Sequence, residues 1–166
     1  MSDPAAALHV TFVCTGNICR SPMAEKMFAD QLRRRGLSDA VRVTSAGTGN
    51  WHVGSSADDR ATRVLQAHGY PTAHRAAQLD HDHLAADLVV ALGRNHARAL
   101  RQLGVDADRI RILRSFDPRS GAHALDVDDP YYGDAQDFED VLEVIEAALP
   151  GLHDWVDDQL ARNGHA

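Results

Sequence analysis

The chain is poor in cysteine, in aromatic residues and in long apolar segments, and each shortage excludes a class of protein. Two cysteines in 166 residues do not form a disulfide framework, and their presence in one short segment suits a reducing compartment. No apolar segment approaches the ~20 residues of a membrane-spanning helix. Acidic residues outnumber basic ones, and a formal net charge of -7 argues against a nucleic-acid-binding surface.

The N-terminal segment and the chain length lead to two further expectations. Residues 1–7 carry no basic stretch followed by an apolar core, so we expect no secretory signal peptide and a cytoplasmic protein. Export by a route that reads no signal peptide stays open. A length of 166 residues without repeats or linkers predicts that residues 1–166 form a single domain.

Strand-like and helix-like segments alternate along the chain. The predicted strands are residues 8–13, 41–45, 87–92 and 109–113, and the predicted helices are 22–35, 57–68, 94–103 and about 137–161. Pro150-Gly151 should kink or break the last helix. The alternation predicts an α/β fold with a single parallel sheet and helices on both faces. Ligands of such sheets bind at the carboxyl ends of strands, where Cys14 lies.

The segment CTGNICRS, residues 14–21, indicates the chemistry most directly. Its thiol and guanidinium can hold a phosphate while sulfur attacks phosphorus. Ser21 is the predicted N-cap and Pro22 the first helical residue, so the segment leads into a helix N-terminus, which favours anions. Gly16 is expected to adopt a backbone conformation that turns successive N–H groups inward. The same field favours the thiolate of Cys14, and Arg20 adds a planar fork for phosphate oxygens.

Other residues of this segment have supporting roles. Ser21 can donate a hydrogen bond to the thiolate, and the amide of Asn17 can brace the loop. Cys19 either packs passively under the loop or forms a reversible disulfide with an oxidised Cys14. An inert buried thiol is the alternative for Cys14, which the spacing to Arg20 alone would allow but the full string disfavours.

An acidic segment, residues 126–134, lies between the last predicted strand and the last predicted helix. Its carboxylates could protonate a leaving oxygen and later activate water. Pro130 restricts Asp129 to an extended conformation, and Asp128 is a rival that spacing alone does not dismiss. A calcium loop fails because Pro130 and Tyr131 stand where an EF-hand needs an oxygen ligand and a glycine. A solvated turn is the other alternative.

Aromatic and histidine residues outside the core raise two further points. Trp51, Tyr131 and Tyr132 lie in predicted loops, where they can wall a slot for a phenyl ring. His81 and His83 suggest a metal site, but two ligands two positions apart are poor tetrahedral ligands without distant partners. A polar helix start is therefore preferred there. The predicted chemistry requires no metal and no other cofactor.

The string VCTGNICRSPMAE resembles the signature of the low-molecular-weight protein tyrosine phosphatases. The resemblance covers nearly the whole chain through Ser45-Ala-Gly, Trp51, His74-Arg-Ala and Asp129-Pro-Tyr-Tyr-Gly. It implies a flavodoxin-like fold with strand order 2-1-3-4. It also implies metal-independent hydrolysis of phosphotyrosine in proteins through a phosphocysteine, and it selects Asp129 over Asp128 as the acid.

The resemblance further implies which residues form the site. Cys14, Arg20 and Asp129 would be catalytic. The implied substrate-binding residues are Thr15, Gly16, Asn17, Ile18, Cys19, Ser21, Trp51, Tyr131 and Tyr132. Related protein-arginine phosphatases carry threonine at the position of Ile18, so the apolar residue favours phosphotyrosine. The family often has an aspartate at position 93 that joins a network with the equivalent of His74, and Gly93 cannot do so.

Partners and competing functions complete the expectations. Tyr131 and Tyr132 are, by resemblance, candidate sites for a tyrosine kinase, and we expect a monomer that binds neither nucleic acid nor membrane. An arsenate reductase would need further cysteines downstream, and none follows Cys19. A non-catalytic phosphate-binding adaptor is disfavoured because nothing that catalysis requires is missing.

Overall fold

The computed structural model describes residues 6–121 and 125–163, so most of the segment in which no signal peptide is expected lies outside the described residues. The strands are β1 (Leu8–Cys14), β2 (Val41–Gly47), β3 (Leu88–Ala91) and β4 (Ile110–Ile112). The helices are α1 (Arg20–Arg34), α2 (Asp59–Ala67), α3 (His81–Leu84), α4 (Arg94–Gln102) and α5 (Ala135–Arg162). Short 3-10 turns occur at Ala107–Arg109 and Leu113–Phe116. None of the helices in the described ranges is long and apolar enough to cross a membrane.

The four strands form one parallel sheet in the order β2-β1-β3-β4, which confirms the predicted fold class. Side chains that alternate along the strands enter two separate cores. Val10 and Phe12 of β1 pack on the side of α1, α2 and α5, whereas Val13 and Val89 pack on the side of α4. Helices therefore cover both faces, and the carboxyl ends of the strands are left for the loops.

The start of α1 differs from the sequence-based prediction. The helix begins at Arg20 with Cys19 as its N-cap, and no side chain caps it. Ser21 lies inside the first turn, where its hydroxyl contacts Cys14 and Asn17 and does not cap the helix. The first-turn N–H groups thus stay directed toward the loop that precedes the helix.

Of the predicted kink or break at Pro150-Gly151, the break is wrong, because α5 runs continuously from Ala135 to Arg162. A Cβ atom at Gly151 would lie 2.2 Å from the carbonyl oxygen of Phe116, so the helix packs directly on the backbone of the neighbouring 3-10 turn. The apolar face of α5 is buried on both sides of Pro150, and this burial outweighs the ~3 kcal/mol cost of an interior proline.

The histidine pair begins a short polar helix, as predicted. Asp80 caps α3 by accepting a hydrogen bond from the backbone N–H of His83, and the ring of His83 accepts one from the backbone N–H of Asp80. This reciprocal capping explains why polar residues occur together at 80–83.

Candidate active site

A cavity of about 420 Å³ lies at the carboxyl end of β1. Three loops that are distant in sequence enclose it: the loop between β1 and α1, the loop after β2 and the loop before α5. Its lining residues are Cys14, Thr15, Gly16, Ile18, Cys19, Arg20, Trp51, His52, Asp129, Tyr131 and Tyr132. The structure therefore brings together all three predicted catalytic residues and seven of the nine predicted substrate-binding residues, all except Asn17 and Ser21.

The sulfur of Cys14 is held by Ser21. Its Sγ atom lies 2.9 Å from Ser21 Oγ, and the Nδ2 atom of Asn17 donates to the same oxygen at 2.8 Å. Because the hydroxyl oxygen already accepts from Asn17, its hydrogen is available to donate to sulfur. Asn17 and Ser21 are fully buried and do not line the cavity, so their side chains contact Cys14 and each other behind the cavity wall.

Asn17 provides the unusual backbone conformation of the loop. Its φ of 57° is in the left-handed region, which asparagine tolerates better than most residues. Its side chain also donates to Ser45 Oγ and accepts from the backbone N–H of Ala77, and its carbonyl accepts from His74 Nε2. The expectation that Gly16 has the special conformation is wrong, because four hydrogen bonds around Asn17 fix the turn one residue later.

His52 lines the cavity, and sequence reasoning did not select it. A Cβ atom at Gly16 would lie 3.1 Å from the His52 ring, so the glycine admits that ring to the mouth of the cavity. The ring centroid of His52 is 6.2 Å from that of Tyr131, which lines the same cavity. The available signal was its position next to Trp51, which is 73% exposed and was predicted as a wall.

Arg20 and Asp129 form an ion pair in the lining of the cavity. The nearly buried guanidinium donates to the carbonyl oxygen of Val127 at 3.1 Å, and its Nη2 atom lies 3.6 Å from Asp129 Oδ2. The Asp129 side chain is 52% exposed, and its Oδ1 accepts from the backbone N–H of Tyr131. Asp129 lines this cavity, whereas Asp128 does not.

Cys19 lies in the wall of the same cavity but in a different environment from the nucleophile. Burial, together with the nearby negative charge of Asp58, raises the pKa of the Cys19 thiol to about 12. Cys19 is therefore protonated at neutral pH, whatever role it has in the site.

His74 and Gly93 have different neighbours in this structure. His74 bonds to Asn17 and has its Nδ1 atom 3.8 Å from Glu25 Oε1, whereas Gly93 lies beside His96 and Asp126 on another side of the loop. A carboxylate at position 93 would thus approach His96, because a Cβ atom there lies 3.5 Å from His96 Nδ1.

His96 is a second residue that sequence reasoning did not select. It is 1% exposed, and its Nε2 atom lies 2.9 Å from Thr15 Oγ1 in the cavity wall. Burial, with a smaller effect from Arg20, lowers the pKa of His96 to about 4, so the ring is neutral at pH 7. Among the residues described, its Nδ1 atom has no hydrogen-bond partner.

The site geometry agrees with the comparison to known families. The model of the family described as low molecular weight phosphotyrosine protein phosphatase matches residues 9–165. The chain belongs to this family. Low molecular weight protein-tyrosine phosphatase A of Mycobacterium tuberculosis is 80% identical over 164 residues, which cover 99% of each chain. The resemblance inferred from the loop motif is thereby confirmed.

Two crystal structures of phosphatases show the same fold as this family member. A protein tyrosine phosphatase from Entamoeba histolytica, solved with Hepes in its active site, has a TM-score of 0.85 at 27% identity, covering 91% of this chain and 97% of its own. The arginine phosphatase YwlE, in a mutant with a phosphorylated active-site serine, has a TM-score of 0.79 at 30% identity, covering 90% and 96%.

Proposed function

We propose that this protein hydrolyses phosphotyrosine in protein substrates through a phosphocysteine intermediate. The observation that carries the proposal is the convergence of Cys14, Arg20 and Asp129 on one cavity with aromatic walls. The thiol lies at the N-terminus of α1, the guanidinium is aligned from behind by a backbone carbonyl, and the carboxyl group faces both from another loop.

In the first step, Cys14 Sγ attacks phosphorus, forming the S–P bond as the bond from phosphorus to the tyrosyl oxygen breaks. Asp129, as the carboxylic acid, gives its proton to that oxygen. Arg20 and the N–H groups at the start of α1 stabilise the charge on the other phosphate oxygens. Ser21 stabilises the thiolate before attack through its hydroxyl hydrogen.

In the second step, water attacks phosphorus and the S–P bond breaks. The Asp129 carboxylate accepts a proton from this water, so the acid is regenerated for the next cycle. The products are inorganic phosphate and the Cys14 thiolate. The sequence of steps uses only residues that line the cavity or contact one that does.

The cavity walls support an aromatic substrate. Trp51, Tyr131 and Tyr132 border the opening, and Ile18 places an apolar side chain beside the nucleophile loop. Flat aromatic surfaces of this kind favour a phenyl ring over an aliphatic guanidinium-bearing chain. The relatives that are named as tyrosine phosphatases support phosphotyrosine as the substrate. Because the arginine phosphatase YwlE has a similar structure, phosphoarginine is the alternative substrate to compare.

The test uses hydrolysis of p-nitrophenyl phosphate in the presence of a chelator. We expect turnover by the wild type, none above background for Cys14→Ser, and a loss of ~10²–10⁴-fold for Asp129→Asn. Circular dichroism establishes that each variant is folded. If the wild type hydrolysed this substrate no faster than Cys14→Ser, the proposed phosphatase activity would be excluded. A higher kcat/KM for a phosphoarginine peptide than for the matching phosphotyrosine peptide would reject the substrate assignment.

Two finer proposals concern partners. Tyr132 is 95% exposed and Tyr131 is 36% exposed at the rim, so both are offered as acceptors for a tyrosine kinase. A phosphate on either residue would add negative charge at the cavity entrance and weaken binding of an anionic substrate. We also propose that the protein is a monomer.

A further inference from the structure

Arg60, in the first turn of α2, lies outside the cavity but contacts the loop that carries the acid. We call residues 129–133 the acid loop. The Nη2 atom of Arg60 donates to the carbonyl oxygen of Tyr131 and the Nη1 atom donates to that of Gly133, each at 2.8 Å. One guanidinium therefore bridges two backbone carbonyls on either side of Tyr132.

The same guanidinium is held on its other edge and on one face. Its Nε and Nη2 atoms donate to the two carboxylate oxygens of Asp58 at 3.0 and 2.9 Å. Its Cζ atom lies 4.6 Å from the ring centroid of Phe138, a fully buried residue of α5. A bidentate ion pair and a cation–π contact together fix the orientation of this side chain.

Asp58 connects the Arg60 guanidinium to the loop between β1 and α1, residues 15–19. Its backbone N–H donates to the carbonyl oxygen of Ile18 at 2.8 Å, and its side chain caps α2. A continuous series of contacts therefore leads from Ile18 through Asp58 and Arg60 to Tyr131 and Gly133. This series sets the distance between the loop of the nucleophile and the loop of the acid.

The acid itself has few contacts of its own. Half of the Asp129 side chain is exposed, and its Oδ1 accepts from the backbone N–H of Tyr131. The carbonyl of that same residue is the one that Arg60 holds. The direction of the Asp129 carboxyl group therefore depends on where the backbone at Tyr131 is kept.

We propose that Arg60 is a positioning residue that aligns Asp129 for proton transfer to the leaving oxygen. The inference rests on the function proposed above. Lysine cannot replace Arg60, because one ammonium group cannot donate in one plane to two carbonyls and a carboxylate while stacking on a ring. Arg60→Lys keeps the positive charge and removes the fixed geometry.

The experiment compares substrates by how much their leaving groups need a proton. Phenyl phosphate has a basic leaving oxygen and depends on the acid, whereas 2,4-dinitrophenyl phosphate has a stable anion as its leaving group. For Arg60→Lys we expect kcat/KM to fall about 10–100-fold with phenyl phosphate and less than about 2-fold with 2,4-dinitrophenyl phosphate. The matched control is Arg63→Lys, an exposed arginine of the same helix, which should behave as wild type with both substrates.

A double-variant cycle tests whether Arg60 acts through Asp129. In the Asp129→Asn background, Arg60→Lys should lower kcat/KM for phenyl phosphate by less than about 2-fold, because the group that it positions is gone. Equal losses with both substrates, or losses that multiply with those of Asp129→Asn, would overturn the inference. If Arg60→Lys does not fold, Arg60→Gln is read by the same two criteria.

The two proposals fail in different ways. If Cys14→Ser and Asp129→Asn are as active as the wild type, the proposed function itself is wrong. If these two variants lose activity as expected but Arg60→Lys shows no dependence on the leaving group, only the role of Arg60 is wrong.

Discussion

At the scale of single residues, the two thiols that line the cavity lie in different environments. Cys14 has a hydroxyl donor at 2.9 Å and lies at the start of α1. Cys19 follows five positions later in the sequence. Its burial and the negative charge of Asp58 both disfavour ionisation, so the pKa of its thiol is raised to about 12. The thiolate is the reactive form of cysteine, and the raised pKa keeps Cys19 protonated at pH 7.

Alkylation at pH 7 should therefore modify one cysteine of the folded protein. We expect iodoacetamide to label Cys14 and to leave Cys19 unmodified, as measured by peptide mapping. Cys14→Ser is the control and should show almost no label until the protein is unfolded in urea. Labelling of Cys19 at a rate similar to that of Cys14 would contradict this. A Cys14–Cys19 disulfide after mild peroxide stays a separate prediction, checked by the same mapping without reductant.

His96 predicts a specific loss of stability in acid. Burial lowers the pKa of the folded residue to about 4 from 6.5, so the unfolded chain takes up the proton first as the pH falls. Its contribution is complete above pH 6.5 and is lost progressively toward pH 4, by up to about 3 kcal/mol. We expect the free energy of unfolding, from urea titrations, to fall less over this window in His96→Gln than in the wild type. Identical slopes would contradict the buried neutral ring.

A carboxylate near His96 should change this behaviour. Gly93→Asp would add a carboxylate near His96 and Asp126, since the added Cβ lies 3.5 Å from His96 Nδ1 and 3.3 Å from Asp126 Oδ1, and the extra negative charge favours the protonated ring. We therefore expect this variant to show a smaller loss of stability between pH 6.5 and 4 than the wild type. An unchanged pH profile, with unchanged turnover, would show that the glycine at position 93 has no consequence for the loop.

At the scale of elements, close backbone packing decides whether a helix survives an interior proline. The helix α5 continues past Pro150 because Gly151 allows it to rest on the 3-10 turn at Phe116. Local propensity favours a break at this dipeptide. The buried face on both sides of the dipeptide is the tertiary factor that reverses the preference.

Gly151→Ala should destabilise the protein strongly. The added Cβ would lie 2.2 Å from the Phe116 carbonyl oxygen, and because that atom belongs to the backbone it cannot move aside as a side chain would. We expect a loss of about 1–3 kcal/mol or more in urea unfolding. Gly121→Ala is the control, since no atom of residues 6–121 or 125–163 lies within 4 Å of its added Cβ, and it should change stability by less than about 0.5 kcal/mol. A similar small effect at both positions would reject the packing argument.

At the scale of the whole molecule, one parallel sheet with a core on each face is expected to unfold as a unit. The predicted single domain therefore corresponds to one transition in calorimetry.

Inorganic phosphate, which should bind at the N-terminus of α1, stabilises only the folded form. At 100 times its dissociation constant it should add about 2.7 kcal/mol and raise the midpoint.

The control for this effect is Arg20→Lys, which keeps the charge but loses the planar fork. Its midpoint should respond less to phosphate than that of the wild type. Two separate transitions would contradict the single domain. An equal response of the wild type and Arg20→Lys would place the anion away from the candidate site.

Much of the fold and the centre of the site could be predicted from sequence because their signals are local. Three of these signals depend only on residues adjacent in the sequence. They are the apolar run that ends at Cys14, the glycine that follows α1 and the Asp129-Pro130 pair. The helix start was wrong because Ser21, a good cap in isolation, has its hydroxyl engaged by Cys14 and Asn17. His96 and Arg60 gave no signal, because their partners lie 81 and 71 to 73 positions away.

The sequence by itself determined the order of strands and helices, the loop chemistry of Cys14 and Arg20, and the family. These follow from periodicity and from residues adjacent in the chain. Only the tertiary structure decided that His96 contacts Thr15 and Arg60 contacts the backbone of Tyr131, that Asn17 and not Gly16 adopts the left-handed turn, and that α5 is continuous. Each of these depends on contacts between loops and layers that the chain brings together only when the sheet has formed.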